Sequence, residues 1–175
     1  MDGDLVGRFA RRLRLFDSNA DGIVRRRDVV AAAERLVRAF RVEPQSIGAE
    51  RILTAYEMLS LALLAEFGDL ARDEVPLSRF TAALAADPAR MAALGRRLAR
   101  TDALAVRECL APVGEVVKAE HVAEVILVLG AHPGHQPVIQ RALESDGALI
   151  RRTGAIRLFA DYFTGSGFPG LYGRT

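Results

Sequence analysis

Cysteine, tryptophan and long uncharged apolar runs are scarce in this sequence. Its 175 residues include one cysteine, Cys109, no tryptophan and 6% aromatic residues. A single cysteine excludes an internal disulfide framework and is typical of a reducing compartment, so we expect a cytoplasmic location. No stretch reaches the roughly 18 uncharged apolar residues that span a bilayer, and the arginine-rich start "MDGDLVGRFARRLRLF" does not fit a signal peptide. We therefore expect no membrane span.

A surplus of one charge is also missing. Lys and Arg number 24 against 22 Asp and Glu, so the formal net charge is only +2. This near balance gives no electrostatic basis for a nucleic-acid partner. The basic segment "RFARRLR" (8–14) is expected to form the solvated face of the first helix.

Helical periodicity is what the sequence has in abundance. Half of the residues are hydrophobic, and apolar side chains recur every three or four residues almost throughout. Asp87-Pro88 is a predicted helix boundary, since proline suits a helix start and disfavours helix in the residue before it. No alternating strand pattern of useful length appears. The sequence therefore predicts an all-α fold in two packed lobes, 1–87 and 88–175.

The segment "DSNADGIVRRRD" (17–28) carries the clearest site pattern. In a helix–loop–helix calcium site, the EF-hand, side-chain oxygens stand at loop positions one, three and five, glycine at six, a carbonyl ligand at seven and an acidic residue at twelve. The segment follows this order, with Gly22 at six and Val24 at eight facing a partner loop. The predicted metal ligands are Asp17, Asn19, Asp21, Ile23 (backbone carbonyl) and Asp28.

Two departures weaken this predicted site. Asp28 replaces the usual glutamate and is one methylene shorter, which lowers the coordination number and makes Mg²⁺ a competitor of Ca²⁺. The arginines Arg25 to Arg27 bring positive charge. At about 10 Å each arginine would repel the ion by only ~0.2 to 0.3 kcal/mol after screening, and long stems can direct their charges into water. The alternative is an Asx-rich turn at a helix start that holds no ion.

EF-hands pack in pairs, so a single one is unexpected and the sequence should contain others. Three further loops can be aligned, which gives four helix–loop–helix units. They lie near 68–79, 109–120 and 142–153 and lack most ligands. The second aligns Val75 at position eight, the third Gly114 at six and Val116 at eight, and the fourth Gly147 and Leu149. Their ligand positions hold residues such as Leu70, Arg72, Cys109, Ala111 and Ala142. We expect one competent site and three degenerate ones.

This layout resembles the bacterial calerythrin family, relatives of the sarcoplasmic calcium-binding proteins. The aromatic, glycine-rich ending "FADYFTGSGFPGLYG" (159–173) is similar to the closing segment of that family. The resemblance implies a compact protein of four EF-hands that binds Ca²⁺. It carries ligand roles only to the first loop, and the lost ligands of the third and fourth loops argue against a buffering role.

Other chemistry is poorly supported by the sequence. His132 and His135 lack paired metal-ligand spacing and read as a linker, and Cys109 has no evident base nearby. No general acid, base and nucleophile assemble, so we do not expect an enzyme. Two hypotheses remain open. The first is a divalent-cation-binding protein with one competent site and a structural or sensor-like role rather than a high-capacity buffering role. The second is an ion-independent helical module that binds a protein partner through an apolar surface.

Overall fold

The helices lie where the apolar periodicity places them. The computed structural model describes residues 2–144, 149–151, 154–166 and 171–172. These residues form eight α-helices: α1 Asp2–Arg14, α2 Arg26–Ala39, α3 Ile47–Phe67, α4 Leu77–Ala86, α5 Pro88–Cys109, α6 Ala119–Val128, α7 Gln136–Glu144 and α8 Ala155–Thr164. The boundary predicted at Asp87-Pro88 is present, and the Asp87 side chain caps α5 by accepting from the N–H groups of Ala89 and Arg90.

Within the described ranges, four three-residue strands join the loops in pairs. They are β1 Ile23–Arg25, β2 Glu74–Pro76, β3 Val116–Lys118 and β4 Leu149–Arg151. The strands β1 and β2 pair antiparallel with Val24 opposite Val75, and β3 and β4 pair antiparallel with Val117 opposite Ile150. Pairing limited to a few loop residues agrees with the absence of a long strand pattern. The helices pack in matching order, α1 on α4 and α2 on α3, then α5 on α8 and α6 on α7.

The second strand pair corrects the register predicted for the third and fourth loops. The sequence placed Val116 and Leu149 at the inward position eight, but their side chains are 46% and 65% exposed. The buried central pair is Val117 and Ile150, one residue later in each loop. Alternation on a strand has a period of two, so a one-residue shift exchanges the inward and outward sides. Both members of each adjacent pair are apolar, which is why the sequence did not distinguish them.

Buried residues from both halves of the chain form one apolar core. It extends from Phe9 in α1 to Leu171 and Tyr172 near the C-terminus. The aromatic end of α8 belongs to it, since Phe159, Tyr162 and Phe163 are all buried. Residues 167–170 and 173 of the predicted closing segment lie outside the described residues.

The basic segment of α1 is not simply a solvated face, contrary to the prediction. Arg12 is fully buried, and its guanidinium donates to both carboxylate oxygens of Asp102 in α5, at 2.8 and 2.6 Å. Tyr172 and Tyr56 also donate to Asp102. Burial opposes the charge, yet the pKa of Arg12 is raised because the Asp102 carboxylate is paired with it. Arg12 and Asp102 thus join the helices that precede the first and third loops.

Candidate metal centre

Asp17 organises the backbone of the first loop. Its Oδ1 accepts from the Asp21 N–H at 3.1 Å and its Oδ2 accepts from the Gly22 N–H at 2.9 Å. The chain turns back on itself between these residues, with φ of 55° at Ala20 and 78° at Gly22. A positive φ is readily adopted by glycine, which explains Gly22 at the turn. The carboxylate at the first position therefore faces the centre of its own loop.

Asn19 and Asp21 lie beside Asp17 in the same loop. The Asn19 amide donates to Asp21 Oδ2 at 3.0 Å, and Asp21 Oδ1 accepts from the Ile23 N–H at 2.9 Å. A cleft beside this turn is lined by Asp17, Asp21, Gly22 and Ile23 and, from the second loop, by Pro76 and Leu77. Three of the five predicted residues, Asp17, Asp21 and Ile23, thus line one cleft, and Asn19 contacts this group through its hydrogen bond to Asp21.

Asp28, the fifth predicted residue, is held in another role. Its Oδ2 accepts from the Arg25 N–H at 2.9 Å, which satisfies an unpaired amide at the start of α2. Its other oxygen lies 3.8 Å from Arg27 Nε. Across the described residues, no group of three or more His, Cys, Asp or Glu side chains is close enough to hold a metal ion. Asp28 therefore does not join Asp17 and Asp21 in a preformed cluster.

Arg25 is much closer to the candidate ligands than the sequence analysis assumed. Its Nη1 lies 2.8 Å from Asp21 Oδ2, and its Nη2 lies 3.3 Å from Glu74 Oε1 in the second loop. The hydrogen bond from Arg25 lowers the pKa of Asp21, and the same bond raises the pKa of Arg25. The expectation that the arginine stems direct their charges into water is wrong for Arg25, because its guanidinium contacts Asp21, a predicted ligand.

The pairing of the first two loops predicts the Arg25 contact from the sequence. Aligning Val24 and Val75 at position eight of paired loops places Arg25 opposite Glu74, as the strand register shows. Oppositely charged residues directly across an antiparallel pair attract one another. Glu74 therefore holds the Arg25 side chain beside the first loop. There it contacts Asp21, which precedes Arg25 by four residues.

The second loop has the turn but few oxygen donors. Asp73 occupies its sixth position with φ of 57°, a conformation that glycine adopts more easily. The Asp69 carboxylate, one position after the start of the loop, accepts from the N–H groups of Ala71 and Arg72. Leu70 stands at the third position and is 70% exposed. This loop closes on itself through Asp69 instead of presenting a set of ligands.

The third and fourth loops offer still less. Gly114 has φ of 123°, but Cys109 is buried, and burial raises its pKa to about 12. A thiol with this pKa is protonated at neutral pH and is therefore a poor nucleophile. Glu120 lies 3.5 Å from Lys118. In the fourth loop Ala142 is buried, and Asp146, Gly147 and Thr153 lie outside the described residues.

The histidine-containing linker shows no convergence on a metal. The rings of His132 and His135 have centroids 5.6 Å apart, and His132 Nδ1 accepts from the Gly134 N–H at 3.0 Å. A nitrogen engaged with its own turn stabilises the connection between α6 and α7. The linker interpretation fits these contacts.

Helix–loop–helix units joined through short strand pairs define the class: this is an all-α protein with an EF-hand-like fold. Among solved structures, the chain is similar to a Streptomyces coelicolor calcium-binding protein described in connection with prokaryotic calcium-mediated regulation. The two share 22% sequence identity and a TM-score of 0.69, over 91% of this chain and 98% of that one. At this identity the likeness shows the fold alone. No family model and no curated protein matches the chain.

In the described part of the chain, no helix is long and apolar enough to cross a membrane.

Proposed function

We propose that this chain is a calcium-binding protein with one competent divalent-cation site, formed by residues 17–28. The ligands are the side chains of Asp17, Asn19, Asp21 and Asp28 with the backbone carbonyl of Ile23. The observation that carries the proposal is the Asp17 carboxylate, which folds the loop around itself through the Asp21 and Gly22 amides. Support also comes from the similar fold of a protein described as calcium-binding.

The oxygen donors of the first loop are of the kind that a hard cation binds, but two of the side chains must move before they can bind it. Carboxylate, amide and carbonyl oxygens are the ligands that Ca²⁺ and Mg²⁺ take. Arg25 has to release Asp21, and Asp28 has to turn away from the Arg25 amide, since each pair is hydrogen-bonded. Each adjustment reduces the net binding free energy. We expect an affinity for Ca²⁺ of ~10⁻⁵ M or weaker, with Mg²⁺ as a competitor.

These adjustments favour a sensor-like or structural role over a high-capacity buffer. Arg25 bridges Asp21 of the first loop and Glu74 of the second. When Asp21 is released from Arg25, the bridge between the two paired loops is broken. Ion binding at the first loop can in this way change the arrangement of the helices that flank the loops. A single site, with donors lacking in the loops near 68–79 and 109–120, stores few ions. We propose 1–87 and 88–175 as the two EF-hand pairs.

One observation favours the alternative function, an ion-independent helical module that binds a protein. The described residues contain no preformed group of three metal-binding side chains, while the loops are already joined by buried apolar pairs such as Val24 and Val75. The fold therefore has a source of stability that needs no ion.

A calcium titration of Asp28→Glu beside the wild type separates the two functions. The longer side chain can reach the ion while the backbone of α2 stays in place, so the variant should bind Ca²⁺ at least about tenfold more tightly, as a bidentate ligand would. Circular dichroism with and without a chelator is recorded for both proteins. If neither protein binds Ca²⁺ and the chelator leaves the spectrum unchanged, the ion-independent module is the correct function.

A further inference from the structure

The groove between α3 and α5 is apolar along one wall and basic along the other. Met58 and Leu61 of α3 are 60% and 39% exposed, although their neighbours Leu59 and Leu63 are buried in the core. The outward stripe continues with Ala62 and Ala65, so its members stand three, four and seven residues after Met58. Single exposed apolar residues are ordinary, but an aligned stripe in a groove indicates a contact surface.

The facing wall on α5 has the same helical spacing. Its lining residues are Ala93, Arg96, Arg97, Arg100 and Leu104. From Ala93 to Leu104 a helix rises about 16 Å, close to three turns. The small side chains Ala62, Ala65 and Ala93 allow a third helix to approach closely.

Among the described residues, the positive charges of the groove exceed the negative ones. Arg97 Nη1 lies 3.5 Å from Glu66 Oε1 across the groove. Arg96 and Arg100 form no ion pair with any residue in the ranges that the structure describes. Three arginines therefore face one glutamate beside an apolar floor, which complements a ligand with acidic edges and one apolar face.

We propose that this α3–α5 groove binds an acidic amphipathic helix of a partner protein. Its apolar face lies on Met58, Leu61 and the alanines, and its acidic side chains pair with Arg96 and Arg100. This is the helix-in-groove mode of recognition, and methionine suits such a surface because it is flexible and polarisable. A flat anionic bilayer would contact the arginine rim and leave the concave floor open. The groove does not depend on the ion site, so this inference stands apart from the proposed function.

The test uses three labelled peptides of about four helical turns. The first is amphipathic with glutamate on its polar face, the second has lysine in place of every glutamate, and the third is an acidic scramble without an apolar face. Fluorescence anisotropy should show binding of the first peptide, with the other two weaker by at least about tenfold because one repels the arginines and the other cannot cover the floor. The titrations are run in calcium and in chelator, and binding is expected in both.

Two variants locate the binding on the groove. The Arg96→Glu/Arg100→Glu pair should reverse the preference toward the lysine peptide, a gain that a misfolded protein cannot give. Met58→Gln/Leu61→Gln should weaken binding of the acidic peptide by about tenfold. Leu70→Gln, at another exposed site, should leave this binding unchanged.

Several results would overturn the proposal. They are equal binding of the acidic and lysine peptides, full binding of the scramble, or no reversal in the double-charge variant. Light scattering that shows a dimer dissociated by Leu61→Gln would assign the groove to a second copy of this chain. Sedimentation with phosphatidylcholine–phosphatidylserine vesicles, without peptide binding, would assign it to a membrane. Failure of calcium binding in the same samples would affect only the proposed function.

Discussion

The first and third loops share a turn but differ in the side chains that stand around it. Both turn at a glycine with positive φ, 78° at Gly22 and 123° at Gly114. Both place a buried valine opposite an apolar partner, Val24 with Val75 and Val117 with Ile150. Only the first loop carries oxygen donors at the alternate positions. The loop architecture is therefore maintained by glycine turns and apolar strand pairs, and the oxygen donors of the first loop are a separate property added to it.

Disrupting the Arg12–Asp102 ion pair, which joins the helices that precede the first and third loops, should have the largest effect on stability. Asp102→Ala leaves the fully buried Arg12 without its carboxylate, which should cost about 3 to 5 kcal/mol in the free energy of unfolding. Urea denaturation measures this cost.

The control for Asp102→Ala is Glu57→Ala, which removes the exposed partner of Arg26 and should cost less than about 1 kcal/mol. Equal losses of unfolding free energy in the two variants would show that the Arg12–Asp102 pair does not stabilise the packing of α1 with α5.

The strand centre of the third loop can be tested by adjacent substitutions. Val117→Ala removes a buried side chain and should cost about 1.5 to 3 kcal/mol, whereas Val116→Ala, at a site 46% exposed, should stay within about 0.5 kcal/mol. Thermal or urea unfolding of both variants gives the comparison. A larger loss for Val116→Ala would restore the register that the sequence first suggested.

Arg25 provides a way to sharpen the first loop. Arg25→Gln removes a guanidinium 2.8 Å from Asp21 Oδ2, so calcium should bind about threefold to tenfold more tightly. Calorimetry measures the change. Arg27→Gln is the matched control, because Arg27 is 77% exposed and 3.8 Å from Asp28, and its effect should be smaller. A greater gain from Arg27→Gln would contradict the role given to Arg25.

The helices could be predicted from the sequence because they depend on local patterns, and the positive-φ turn at Gly22 lies where the loop pattern predicts it. Apolar periodicity and the Asp87-Pro88 boundary are local, as is the order of donors around Gly22. The one-residue register error at Val116 arose between two adjacent apolar residues, whereas two other errors involve residues distant in the chain. Arg12 is buried because Asp102, 90 positions later, faces it, and Arg25 approaches Asp21 with the help of Glu74 in the paired loop.

The smallest expected effect concerns the turn of the second loop. Asp73 has φ of 57° where the first loop has Gly22. Asp73→Gly should stabilise the protein by about 0.5 to 1 kcal/mol, since glycine adopts this conformation without steric cost. Gly22→Ala should destabilise it by a similar amount through the same backbone effect. Urea unfolding that shows both changes with the same sign would refute this explanation.

The central claim is that the donors around Asp17 bind one divalent cation. Isothermal calorimetry of Ca²⁺ with the wild type and Asp17→Ala tests it most directly, because Asp17 both supplies an oxygen and folds the loop. We expect one site in the wild type with a dissociation constant of ~10⁻⁵ M or weaker and no binding heat in Asp17→Ala. Absence of binding in the wild type, or binding that Asp17→Ala leaves unchanged, would contradict it.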